Sequence, residues 1–194
     1  MRKLVAVLLV VLAACSTTQV KDSWKDPAFA GPALKQVMVI GVGGIEANRR
    51  SFEDGFAKAL SEAGVRASTS YASIPATRGV PHDRVVAAAR QSGAEGVLVA
   101  RVMKRDVALT PSYGSPQFAR AGFGAWYGSA HLPVATDAID TYDVLTIETS
   151  LWSLTADKPV WTGTTQVSDP RNVAASTAEL AKSLIARMKA DGVI

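Results

Sequence analysis

The stretch KQVMVIGVGG, residues 35–44, constrains the fold more than any other part of this chain. From Val37 to Val42 it is an unbroken apolar run rich in β-branched residues and closed by glycines. Such a run reads as a strand buried on both faces. The next residues read as an amphipathic helix, with Phe52, Phe56, Ala57, Leu60 and Ala63 on one stripe. Asn48 or Ser51 is able to cap it and Gly64 to end it, while Arg49, Arg50, Glu53 and Asp54 fall off the apolar face. VRASTSY reads as a short second strand and IPATRGVP as a loop. A second helix runs from His82 to Ser92, turns Val85, Ala88 and Ala89 inward and stops at Gly93. EGVLVARVMKRDVAL is a third strand, apolar on both faces in its first half. Strand, helix, strand, helix, strand is the order of an α/β domain.

The second half changes character. YDVLTIETSLWSL alternates, with Leu145, Ile147 and Leu151 on one side and Thr146, Glu148 and Ser150 on the other. TADKP connects it to VWTGTTQVS, which makes an antiparallel hairpin. A last helix opens with Asp169 as cap and Pro170 in its first turn and ends at Gly192. Val173, Thr177, Leu180, Ala181, Leu184 and Met188 recur along it at helical spacing and cover the sheet. The expectation is one α/β domain over residues 36–194: a mixed five-stranded sheet, β-α-β-α-β then an antiparallel hairpin and a C-terminal helix, flanked by helices. About 30 residues of Gly, Ala, Ser and Pro interrupt it at about 110–140, with Tyr113, Phe118, Phe123, Trp126 and Tyr127 interleaved. An insert that long in a compact domain is usually functional or disordered. It lacks the sustained alternation of a membrane-crossing β-hairpin.

The amino terminus carries a different signal. Arg2 and Lys3 precede an apolar segment of 11 residues, Leu4 to Ala14. A membrane-spanning helix needs about 20 residues, whereas the core of an export signal runs about 7 to 15. The segment therefore reads as a cleavable signal peptide, residues 1–14, and it stops at Cys15, the only cysteine of the 194 residues. Leu12-Ala13-Ala14-Cys15 resembles the bacterial lipobox. The resemblance implies that Cys15 becomes the first residue of the mature protein, carrying a diacylglycerol and an N-acyl chain. Two or more chains hold a protein stably on a bilayer, where one does so only marginally. Bacterial sorting retains lipoproteins with Asp after the cysteine at the inner membrane. Ser16 stands there instead, which implies the periplasmic face of the outer membrane. Residues 15–35 read as the lipidated terminus and a tether with room for one early strand around Thr18 to Trp24, from which Trp24 and Phe29 can pack back onto the domain.

Composition narrows the rest. The formal charge of +4 includes Arg2 and Lys3, so the exported chain is only slightly basic, and no Lys or Arg run forms a stripe that nucleic acid would require. With Cys15 lipidated there is no disulfide and no thiol nucleophile, so packing alone holds the fold.

The VMVIGV strand, the helix NRRSFEDGFAKALSEAGV, the SGAEGVLVARV entry to a third strand and VWTGTTQVSDP before the last helix together resemble a family of small Gram-negative outer-membrane lipoproteins. More distantly the chain is similar to the α/β domain shared by the curli secretion lipoprotein, the penicillin-binding-protein activator lipoprotein and the TolB N-terminal domain. The resemblance implies a mixed sheet flanked by helices that serves as an assembly or docking module at the envelope. The curli channel builds its barrel from long alternating hairpins, and the sequence shows none, so docking rather than pore formation is implied.

Few residues suggest chemistry. Gly41-Val42-Gly43-Gly44 follows a strand as a phosphate loop would, yet Glu46 replaces the third glycine of the dinucleotide fingerprint, and no P-loop Lys-Ser/Thr is present. A tight strand-to-helix turn is the better reading. His82 and His131 lack a second ligand at metal spacing. Asp137, Asp140 and Asp143 sit three apart without the pattern of a calcium loop and read as a solvated entry to a strand. A hydrolase would have only Asp137, Asp140, Glu148 and the two histidines to draw on. No enzyme, no metal site and no cofactor beyond the Cys15 lipid is expected. The expected function is a non-enzymatic docking or accessory module of an envelope complex, with the bilayer and an envelope protein as partners. The partner-binding candidates are Tyr113, Phe118, Phe123, Trp126 and Tyr127, joined by Trp152 and Trp161. The alternative is a periplasmic binder of a small apolar or glycan ligand, with the insert as its lid.

Overall fold

A computed structural model describes residues 18–42, 45–77, 80–111 and 139–194. Six strands form one mixed, open sheet: β1 (Thr18–Lys25), β2 (Gln36–Val42), β3 (Arg66–Thr69), β4 (Gly96–Pro111), β5 (Ile139–Ser153) and β6 (Lys158–Ser168), in the order β1-β6-β5-β4-β2-β3. Among the described residues there are three α-helices, α1 (Glu46–Glu62), α2 (His82–Gln91) and α3 (Val173–Ala190), and a 3-10 turn at Ser70–Ala72. The domain is α/β, as the alternation of elements implies.

β2 lies between its parallel neighbours β3 and β4, and its two faces feed two cores. Val37 and Val39 pack with Phe56 and Leu60 of α1 and Leu180, Leu184 and Met188 of α3. Met38 and Ile40 face the other way, against Ala89 of α2, Ala94 and Val97. All four β2 residues are buried, which is what a strand with helices on both sides of its sheet demands. α1 and α3 approach closely where Gly55 meets Thr177: a Cβ there would lie 3.1 Å from Thr177 Cγ2.

The sheet has six strands where five were expected, because the early strand belongs to it. β1 pairs antiparallel with β6 from Thr18↔Val167 to Lys25↔Trp161, so the sheet takes in the chain from Thr18. Phe29 packs on the main core, whereas Trp24 stays exposed. The segment after β1 is tied down by Asp26 N–H donating to Val160 O (3.0 Å), by Leu34 N–H donating to Val193 O (2.9 Å) and by the Lys158–Asp26 ion pair at 2.6 Å.

Helix starts differ from the sequence reading. α1 begins at Glu46, before Asn48 and Ser51, with no side-chain cap. Its first turn is held instead by Glu46 against Arg49 and Arg50, an acidic residue at the positive end of the helix dipole with partners three and four residues on. α3 is capped by Asn172, whose Oδ1 accepts from Ala175 N–H at 3.0 Å, and not by Asp169. Asp169 is turned away by a left-handed backbone (φ 55°) and pairs with Arg171. Gly64, Gly93 and Gly192 end the helices as expected, all with positive φ.

β4 and β5 correct the expectation that no long hairpin is present. They are 16 and 15 residues long and pair antiparallel from Gly96↔Ser153 to Pro111↔Ile139, on either side of residues 112–138. β2 accompanies β4 only to Val42↔Arg101, and β6 accompanies β5 only to Ser168↔Val144. Beyond those pairs the two strands run on as a projecting arm. A bulge at Met103 lies just past the end of β2, the kind of irregularity that bends a strand and re-aims its side chains where a third strand stops.

Candidate functional site

α1 carries two buried charges that sequence reasoning placed outside. Glu53 is 0% exposed and Arg49 4%. Glu53 Oε1 accepts from Gly41 N–H (3.1 Å), Arg49 Nε (2.9 Å) and Ser70 Oγ (2.8 Å), and Oε2 accepts from Tyr71 N–H (3.0 Å). Arg49 Nη2 donates to Ser70 Oγ and Ile74 O, both at 2.8 Å, and Nη1 donates to Pro75 O and Glu46 Oε2, both at 3.3 Å. The signal was present in the spacing: 49, 53, 56 and 60 continue one helical stripe into Phe56 and Leu60. Charge type, read by itself, sent the two residues outward. The network ties the end of β2, the first turns of α1 and the 3-10 turn together. Its hydrogen bonds are made within the protein, so it clamps this corner. Gly41 N–H is likewise committed to Glu53 and is not available to a phosphate. A Cβ at Gly41 would stand 3.2 Å from the Phe52 ring, so the glycine permits close helix-strand approach. Gly43 and Gly44 lie outside the described residues.

Beside this clamp a pocket of about 420 Å³ opens between α1, α3 and the root of the arm. Its floor is Ala100 and Val102 of β4, Leu145 and Ile147 of β5 and Val167 of β6; its walls are Phe52 of α1 and Val173 and Leu180 of α3. That volume is within the range of small-molecule sites, about 300–1,000 Å³. Its polar lining is Asn48 and Arg49 of α1, Arg101 and Arg105 of β4 and Ser176 and Thr177 of α3, with Arg105 at the arm-side mouth 3.9 Å from Asp143 across the arm. The site lies at the carboxyl end of the parallel strands, where α/β sheets place their ligands.

Beyond the mouth the same face continues along the arm. Residues paired across two strands share a face, and Val102↔Ile147, Arg105↔Leu145 and Val107↔Asp143 are such pairs. Val102, Met103 and Val107 are 54%, 51% and 62% exposed, and Val42 and Ile45 are open to solvent nearby at the end of β2 and start of α1. The charges of the arm are mutually paired: Arg101 with Glu148 (2.9 Å), Lys104 with Asp106 (3.0 Å) and Arg105 with Asp143.

The residues singled out from sequence fall in different places. Cys15, Tyr113, Phe118, Phe123, Trp126, Tyr127, His131 and Asp137 lie outside the described residues. Trp161 is no docking residue. It is fully buried, its indole N–H donates to Asp191 Oδ2 at 2.8 Å, and its ring lies so close over Gly163 that a Cβ there would be 2.4 Å away. Trp152 is 40% exposed but sits at the far end of the sheet, opposite Val97. His82 is exposed, with the Asp83 carboxylate at 3.5 Å. Asp140 and Asp143 are within β5 rather than before it, because the strand starts at Ile139. Among the described residues no three His, Cys, Asp or Glu side chains stand close enough to hold a metal, and no helix is long and apolar enough to cross a membrane.

No protein family pattern matches the chain, and no curated protein sequence is similar to it. Among solved structures it is similar to the PelC dodecamer from Paraburkholderia phytofirmans, at 17% identity over 88% of this chain and 93% of that one, with a TM-score of 0.45. It is also similar to lipoprotein GNA1162 from Neisseria meningitidis, at 12% identity over 81% of this chain and 99% of that one, with a TM-score of 0.46.

Proposed function

We propose that the chain is a lipoprotein of the cell envelope, anchored by acyl chains on Cys15 at the periplasmic face of the outer membrane. Its α/β domain acts there as a non-enzymatic docking or accessory module. The observation that carries this reading is the 11-residue apolar segment ending in Leu12-Ala13-Ala14-Cys15 behind Arg2 and Lys3. Two features of the described residues support a binding role. The charged groups around the pocket are paired with one another, and the surface left open at the arm root is apolar. Docking through the aromatic insert is tested by cross-linking the lipidated protein in cells. Changing Trp126 and Tyr127 to Ala is expected to remove a cross-linked envelope protein while the thermal unfolding midpoint stays in place. A cross-linking pattern that does not change counts against the insert as the docking element.

The pocket favours a second reading, a binder of a small apolar ligand. Lining by Phe52, Val102, Leu145, Ile147 and Leu180 suits an aliphatic or aromatic group better than a glycan. Such a ligand would raise the unfolding temperature in proportion to the logarithm of its concentration over Kd. A panel of apolar molecules that produces no thermal shift would remove this reading.

A further inference from the structure

Where β1 starts decides which part of the domain meets the bilayer, and this rests on the anchoring of Cys15 proposed above. Thr18 pairs with Val167, Val167 pairs with Leu145, and Leu145 pairs with Arg105. The first described residue is therefore level with the root of the arm, at the end of the sheet from which the arm projects. Only Ser16 and Thr17 separate Thr18 from Cys15. Three peptide steps reach at most about 11 Å when fully extended. The arm continues from Leu145 to Ile139, six residues past that level, or about 20 Å at the rise of a β-strand. The arm is thus longer than the tether that would have to hold it clear of the membrane.

The surface at this end matches the neighbour that the tether imposes. Val42, Ile45, Val102, Met103 and Val107 are five of the eight large apolar side chains exposed among the described residues. Val102 and Val107 share the face that runs out from the pocket mouth. Among the described residues, no strand lies beside the outer edge of β4 past Arg101 or beside that of β5 past Val144. Unpaired backbone groups are not tolerated in hydrocarbon without water. The arm therefore belongs at the boundary between headgroups and acyl chains, where its edges stay hydrated and Lys104 and Arg105 reach the polar layer. We infer that the β4–β5 arm is a second, non-covalent membrane contact, seating the face of Val102 and Val107, with the bulged Met103 beside it, on the bilayer interface and holding the pocket mouth toward the lipid.

The test uses the full-length lipidated protein in vesicles of phosphatidylethanolamine and phosphatidylglycerol. The chain has one cysteine, and acylation blocks it. Val107→Cys, Met103→Cys or Thr155→Cys then supplies a single free thiol for an environment-sensitive fluorophore. Thr155 lies in the turn between β5 and β6, at the opposite end of the sheet. Labels at 107 and 103 are expected to shift their emission to the blue and to be quenched by lipids carrying a shallow nitroxide, while the label at 155 stays unquenched. Protein that floats with the vesicles but shows no more quenching at 107 and 103 than at 155 overturns the arm contact and leaves the anchor standing. Protein that does not float removes the anchor, and the arm contact with it.

Discussion

Glu53 and Arg49 are the residues on which the corner between β2 and α1 depends. A buried pair contributes little over a well-packed apolar substitute, but removing one member strands the other in a dry site at a cost of about 3–5 kcal/mol. Glu53→Ala leaves the Arg49 guanidinium without Glu53 and leaves Gly41 and Tyr71 N–H without acceptors. A loss of about 3–5 kcal/mol in urea unfolding is expected on the same ground; a loss under about 1 kcal/mol, the size of an ordinary surface change, would show that the network holds nothing. Asp26 gives the domain an acid limit. Its carboxyl is held below the usual value, chiefly by the hydrogen bond from Lys158 and then by the one from Ala28 N–H. A carboxyl with a depressed folded-state value stabilises fully above its unfolded value of about 3.9, and this contribution disappears as pH falls through the lower folded value. Stability should therefore decline below about pH 4, and Asp26→Asn should flatten that part of the decline. An identical acid slope in the variant would assign the effect elsewhere.

At the scale of elements, what the sequence made legible were runs whose period is set by burial. β2, the helix stripes and the β5–β6 hairpin bury alternating or helically spaced residues, and that spacing is visible in one dimension. The Arg49 and Glu53 positions are equally visible in spacing and escape notice only where charge is equated with exposure. The arm was hidden for a different reason. Pairing of β4 with β5 across residues 112–138 is a non-local fact that no local period records, and the residues past Arg101 are too exposed to alternate cleanly. That exposure makes the arm separable from the fold: Val107→Ser should change unfolding free energy by no more than about 0.5 kcal/mol, as surface substitutions do. A destabilisation above about 2 kcal/mol would mean that Val107 is packed in the folded monomer.

For the molecule as a whole, position follows from the joining of β1 to the sheet. The stretch that reads as a tether is mostly strand and fixed linker, and two residues of the sequence stand between Cys15 and β1. On the proposed acylation of Cys15, a domain held so close to its anchor would present to the membrane the end bearing the pocket mouth and the arm. Of the acidic residues that the sequence offers as candidates, Asp143 and Glu148 pair with Arg105 and Arg101, and the pocket has no local sequence signal because its lining comes from six elements distant in sequence, β2, α1, β4, β5, β6 and α3. The whole account turns on the state of Cys15. Intact-mass and N-terminal peptide spectrometry of the protein purified from Gram-negative membranes reads that state directly. The account predicts a mature chain that begins at Cys15 and carries the added mass of a diacylglycerol and an N-acyl chain. A chain of unmodified mass, whether it begins at Met1 or at any residue after Cys15, would contradict it.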